Sequence, residues 1–230
     1  MSIAENIAVI REKIAAAARE VGRDGSEILL VGASKMNDAD ACRAAVAAGI
    51  DALGENRVQE MTAKLAEDAY TGAPLHFIGH LQRNKVKQVV GKVDLIQSVG
   101  SLELLAEIEK TAAKLGIVQN ILLEVNIGME EAKSGFAPDA VEEAAKAALE
   151  CPHVCLQGLM TIPPADASEE ENRQYFHKVY ALYVDINGKL FHNDFKYLSM
   201  GMSGDYEDAI RAGATMVRVG SAIFGQRHYL

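Results

Sequence analysis

Apolar positions along this chain follow two rhythms. From Ile3 to Val21 they recur every three or four residues, at Ile3, Ile7, Ile10, Ile14, Ala18 and Val21, which lays them down one face of a helix. Ser2 and Glu5 stand ahead of that face in capping-box spacing, and Gly22 and Gly25 close the segment. Beyond Gly25 the rhythm changes. Short apolar runs rich in β-branched residues begin near 28–34, 52–54, 75–78, 95–98, 121–126, 156–160, 197–200 and 216–219. Amphipathic stretches at 38–48, 57–68, 83–90, 102–115, 138–149, 168–190 and 204–212 separate them. The runs predict strands and the stretches predict helices, so the alternation implies parallel pairing, and eight such strands can close on themselves.

The expected architecture is a single (β/α)8 TIM barrel with an extra N-terminal helix, one domain over residues 1–230. An open doubly wound sheet shares the alternation. It loses ground because Gly32-Ala-Ser-Lys35 follows the first strand where a dinucleotide fold carries G-x-G-x-x-G.

Charge and composition narrow the ligand. The formal net charge is −9, which argues against general nucleic-acid binding, since that relies on clustered Lys and Arg. No apolar run approaches the roughly 18 residues of a membrane span. The N-terminus mixes Arg11, Glu12, Lys13, Arg19 and Glu20 into its pattern, unlike a signal peptide. Cys42, Cys151 and Cys155 suit reduced thiols better than a disulfide framework. A cytoplasmic protein with a small-molecule ligand is expected.

In a barrel the chemistry gathers at the C-terminal strand ends, and phosphate commonly binds at the loops after strands 7 and 8. Met200-Gly-Met-Ser-Gly204 follows the seventh run, with the Ser203 hydroxyl and the next helix's backbone N–H groups available to an anion. Gly220-Ser221 follows the eighth, where a missing side chain permits close backbone approach. Taken alone, Ser203 would cap the following helix and Gly220 would merely turn. Lys35 shares parity with Leu29, Val31 and Ala33, so an inward face aims its amine into the barrel mouth. Desolvation there favours the neutral amine that attacks an aldehyde. Arg218 interrupts the apolar run Met216-Val-Arg-Val-Gly220 and needs either an ion-pair partner or a polar cavity. Facing the mouth, it suits a pyridine nitrogen. An amine, two phosphate turns and this arginine together read as a pyridoxal 5'-phosphate (PLP) site.

Metal chemistry is not expected. His76 belongs to a strand and His80 lies past its end, about 13 Å away on an extended chain. Cys151-Pro-His-Val-Cys155 precedes the sixth strand, at the face opposite the chemistry. The basic stretch from Arg83 to Lys92 reads as a solvated face that also suits the steering of an anion.

These residues, with Gly54-Glu-Asn-Arg-Val-Gln59, His76-Phe-Ile-Gly-His-Leu-Gln-Arg-Asn-Lys85 and Gly158-Leu-Met-Thr-Ile162, resemble the pyridoxal phosphate homeostasis protein family over about residues 3–227. The resemblance implies a barrel of the alanine racemase N-terminal type with PLP held as an internal aldimine. It implies Lys35 as the aldimine lysine, Ser203 with the Gly220-Ser221 backbone on phosphate, Arg218 at the pyridine nitrogen, and Asn56 and Met200 near the ring. Arg57 stands where the family pattern leads one to expect an aromatic residue. The implied role is cofactor buffering or delivery without efficient turnover, with PLP-dependent apo-enzymes as partners and amino acids as weak ligands. No residue is assigned a catalytic role. The competing reading is an amino-acid racemase or related enzyme of the same fold type. Racemases carry a further C-terminal β domain that supplies a tyrosine base, and the chain stops at Leu230, too soon after its last strand for one. His80, Tyr206 or Tyr229 would have to serve instead.

Overall fold

The computed structural model describes residues 1–225. Eight parallel strands form a closed barrel in sequence order: β1 (Leu29–Ala33), β2 (Ala52–Glu55), β3 (Leu75–Phe77), β4 (Leu95–Val99), β5 (Gln119–Val125), β6 (Val154–Thr161), β7 (Tyr197–Ser199) and β8 (Met216–Val219). Pairing of β1 with β8 closes it, setting Leu29 beside Met216 and Val31 beside Arg218. The intervening helices are α2 (Ala39–Ala47), α3 (Val58–Ala66), α4 (Leu102–Leu115), α5 (Val141–Leu149), α6 (Glu169–Leu190), α7 (Tyr206–Arg211) and α8 (Ser221–Phe224). The (β/α)8 expectation holds.

The extra N-terminal helix, α1 (Ile3–Glu20), starts with the capping box, in which Ser2 and Glu5 satisfy each other's backbone N–H groups. It buries Ile7, Ile10 and Ile14, and it packs on α2, α7 and α8 across the seam where the barrel closes.

Two connections differ from the expected helices. The stretch at 83–90 is a 3-10 helix over Arg83–Gln88. It offers only Val86, Val89 and Val90 for burial, too little apolar surface to recruit full α-helical turns. Helix α7 begins only at Tyr206, because Met202–Asp205 is spent on a turn in which the Met202 N–H donates to the Asp205 carboxylate.

Strand alternation divides the apolar residues into two cores. Leu30, Leu53, Phe77, Ile96 and Val217 face outward and pack under the helices in the larger core. Val31, Ala52, Leu95, Leu122, Met160 and Met216 fill the barrel interior. Gly158 is required where β6 crosses β7: at φ +150 a Cβ there would lie 1.8 Å from the Tyr197 carbonyl oxygen.

Candidate functional site

The C-terminal strand ends open into a cavity that Lys35, Asn56, Ser203, Arg218, Gly220 and Ser221 line together. Four strand ends deliver them: β1 gives Lys35, β2 gives Asn56, the loop after β7 gives Ser203, and β8 with its following turn gives Arg218, Gly220 and Ser221. Lys35 follows β1 on the same parity as Val31, which faces the barrel interior. The chain on both sides of it is held. Behind it, buried Ser34 donates its hydroxyl to Glu55 Oε1 at 2.6 Å, and Lys64 Nζ donates to the Ser34 carbonyl at 2.8 Å. Glu55 also accepts from Lys64 at 2.6 Å and from the Tyr70 hydroxyl at 2.9 Å. Burial, with the Glu55 charge second, pushes the Tyr70 phenol far up, so it acts as a donor only. Ahead of Lys35, Met36 takes a left-handed φ of +62, and its N–H donates to Glu60 at 2.8 Å. A non-glycine residue in that region stores strain beside the site.

Asn56 sits on the next turn, pressed against the backbone of Gly79. A Cβ on Gly79 would lie 2.1 Å from the Asn56 carbonyl oxygen. The side-chain Oδ1 of Asn56 is buried without a hydrogen-bond partner, an arrangement that suits a ligand's polar group.

The loops after β7 and β8 are joined. Ser203 does not cap α7, whose N-cap is Asp205. Its oxygen instead accepts from the Gly220 N–H at 3.2 Å and the Ala222 N–H at 3.5 Å, at the opening turn of α8. A hydroxyl and two backbone N–H groups thus meet at this turn, donors of the kind that hold an anion. Met200, expected near a ring, is instead fully buried in the outer core. Ser199 faces inward, so the next residue must face outward. Gly201, at φ +93, then turns the chain and brings Met202 into the cavity lining.

Arg218 is 3% exposed and makes no ion pair among the described residues, so the salt-bridge alternative fails. Its guanidinium donates through Nη1 to Ser199 Oγ at 2.5 Å and through Nη2 to the Thr161 carbonyl at 2.9 Å. Burial lowers its pKa to about 10, against the more distant charges of Asp205 and Glu124. The group stays cationic at neutral pH. Glu124 looks into the same mouth from β5 and accepts from Ser134 Oγ at 3.0 Å, and burial raises its pKa.

Reasoning from sequence missed Ser199, Thr161, Gln97, Glu124 and the Glu55–Lys64–Tyr70 group. Their signal was present as polar residues inside apolar runs, such as Gln97 in Leu95-Ile-Gln-Ser-Val99. Of the alternative proton acceptors, His80 is exposed, whereas Tyr206 is packed in the outer core, where burial raises its pKa to about 12. Tyr229 lies outside the described residues. The Arg57 side chain is largely exposed and reaches Glu60 at 3.6 Å, away from the cavity. Among the described residues no group of three His, Cys, Asp or Glu could hold a metal, and no helix is long and apolar enough to cross a membrane.

Fold and site define a barrel of one class, for the chain matches the alanine racemase N-terminal domain over residues 2–228. Within that class, a pyridoxal phosphate homeostasis protein of Aquifex aeolicus is 42% identical over 229 residues, covering 100% of both chains. One from Escherichia coli K12 is 38% identical over 231 residues, covering 99% of this chain and 97% of that one. PipY of Synechococcus elongatus, in a structure with PLP bound, superposes with a TM-score of 0.84 at 30% identity, over 97% of this chain and 100% of that one. This chain belongs to the pyridoxal phosphate homeostasis protein family.

Proposed function

We propose that this protein binds PLP as a Schiff base on Lys35 and serves intracellular PLP homeostasis by buffering or delivering the cofactor, without efficient turnover. The observation that carries the reading is the convergence of a strand-end lysine, a serine–glycine anion cradle and a buried arginine on one cavity. When bound, PLP supplies an aldehyde that condenses with an amine. The residues present suit it. Ser203 and the Gly220 and Ala222 N–H groups would take the phosphate, Asn56 would offer its unpartnered amide oxygen to a ring substituent, and Arg218 would donate to the pyridine nitrogen. A permanent donor at that nitrogen keeps it unprotonated and makes the ring a weak electron sink, which suits a carrier better than a racemase. Localisation in the cytoplasm, PLP-dependent apo-enzymes as recipients and amino acids as weak ligands belong to the same proposal.

Borohydride reduction of the loaded protein, followed by peptide mapping, tests it. The label is expected on Lys35, and Lys35→Ala should lose the covalent adduct while keeping weaker, phosphate-anchored binding. Label on another lysine would overturn the assignment. With L-alanine in deuterated water, α-proton exchange is expected to be far slower than one per second; exchange at many per second would restore the enzyme reading.

A further inference from the structure

A chain of polar side chains runs through the middle of the barrel. Arg218 Nη1 donates to Ser199 Oγ. Ser199 Oγ lies 2.6 Å from Gln97 Oε1, and Gln97 Nε2 lies 3.0 Å from His76 Nδ1 and 3.1 Å from Met216 Sδ. These groups come from β8, β7, β4 and β3, and all are buried. His76 lines the opening at the N-terminal ends of the strands, whereas Arg218 lines the cavity at the opposite end. The chain therefore spans the barrel interior from one mouth to the other.

In the structure the chain runs in one direction. A guanidinium has no acceptor, so Ser199 accepts from Arg218, and its own single proton goes to Gln97 Oε1. Gln97 presents its oxygen to Ser199 and its NH2 to His76 and to Met216 Sδ. His76 must accept at Nδ1 and carry its proton on Nε2. Burial supports the neutral ring this requires, lowering the His76 pKa to about 4 with Asp94 opposing only weakly.

We propose that His76, Gln97 and Ser199 are positioning residues for Arg218, a one-way hydrogen-bond chain that holds the guanidinium in register with the cavity and so sets the protonation state of a ring nitrogen bound there. An apolar interior would fill the barrel equally well, as Leu95 and Leu122 do beside the chain, and would leave the arginine only the Thr161 carbonyl. One bond does not fix a planar fork that carries five N–H donors. The consequence for a bound ring rests on the function proposed above; the restraint on Arg218 does not.

Two measurements on Ser199→Ala and Gln97→Leu separate these parts. In the ligand-free protein, NMR of the Arg218 guanidinium should show N–H exchange at least about tenfold faster in both variants than in the native protein, with Ser199→Thr restoring slow exchange. In protein loaded with PLP carrying 15N in its ring, the native nitrogen should resonate as an unprotonated acceptor across pH 6–9. In the variants its shift should move and become pH-dependent, with PLP binding roughly three- to tenfold weaker, the worth of one hydrogen bond. Should Gln97→Leu fail to fold, Ser199→Ala removes a single oxygen and decides the matter. Exchange rates and ring shift both equal to native in Ser199→Ala would overturn the proposal. Faster exchange in a protein that forms no adduct at Lys35 would uphold the restraint on Arg218 and reject the function.

Discussion

The two faces of the same eight strands are used in opposite ways. The outward face, under the helices, is an almost continuous apolar layer whose one buried ion pair among the described residues is Glu55–Lys64, placed directly behind Lys35. The inward face holds six buried apolar residues and interleaves them with His76, Gln97, Ser199 and Arg218. A barrel interior of bulky branched residues would be the simpler packing solution. Buried polar groups at best recover their desolvation through fully matched partners, so they contribute little net stability. The difference teaches where each property resides. The outer layer supplies the stability that allows the inner layer to be given over to aiming a single arginine.

Substitution in the outer layer should break that division most heavily. Phe176 of α6 is fully buried there, and Phe176→Ala should cost about 3–5 kcal/mol through lost burial and a residual cavity. Denaturant melts should show the loss, while the fraction still folded binds PLP with native affinity. Equal loss of affinity would mean that the two faces are mechanically coupled.

A smaller effect, specific to the inner face, should appear with pH. His76 has a folded pKa depressed from 6.5 to about 4, so the unfolded chain takes up a proton in that interval and the folded barrel does not. Stability is therefore unaffected above pH 6.5 and falls as pH drops toward 4, by an amount on the order of 3 kcal/mol. Glu124, with its raised pKa, works in the opposite sense, so the comparison must be with a variant. His76→Asn keeps an acceptor near Nδ1 and cannot titrate. Its stability curve should be flatter than native between pH 6.5 and 4, and parallel curves would refute the assignment.

The smallest effect belongs to the rim between the two faces. Met36→Gly should relieve the left-handed strain beside Lys35, offset in part by the greater backbone entropy of glycine, for a net gain below about 1 kcal/mol. A rise in melting temperature of a few degrees, together with weaker PLP binding, would show that the strain helps to hold the lysine in place.

The architecture was legible because alternation is a local property. Strand and helix patterns each repeat within a few residues, and eight repeats leave few ways to bury every apolar face. The parity of Lys35 was readable for the same reason. The choice between Met200 and Met202 was not, since it turns on Gly201 adopting φ +93, and a glycine in a sequence permits that conformation without requiring it. Ser203 and Gly220 were read as two separate phosphate turns, and only the closure of the barrel brought the turn after β8 within hydrogen-bonding reach of the Ser203 oxygen.

The amino-acid order by itself therefore determined the strand count, the inward face of β1 and the chemical types present at the strand ends. The tertiary structure alone decided which of those types meet. His76, Gln97, Ser199 and Arg218 are scattered over more than half the chain, and nothing in their spacing connects them. They became one hydrogen-bonded chain because closing eight staggered strands sets residues from four of them around a common axis, where each buried donor must find the acceptor that the others leave free.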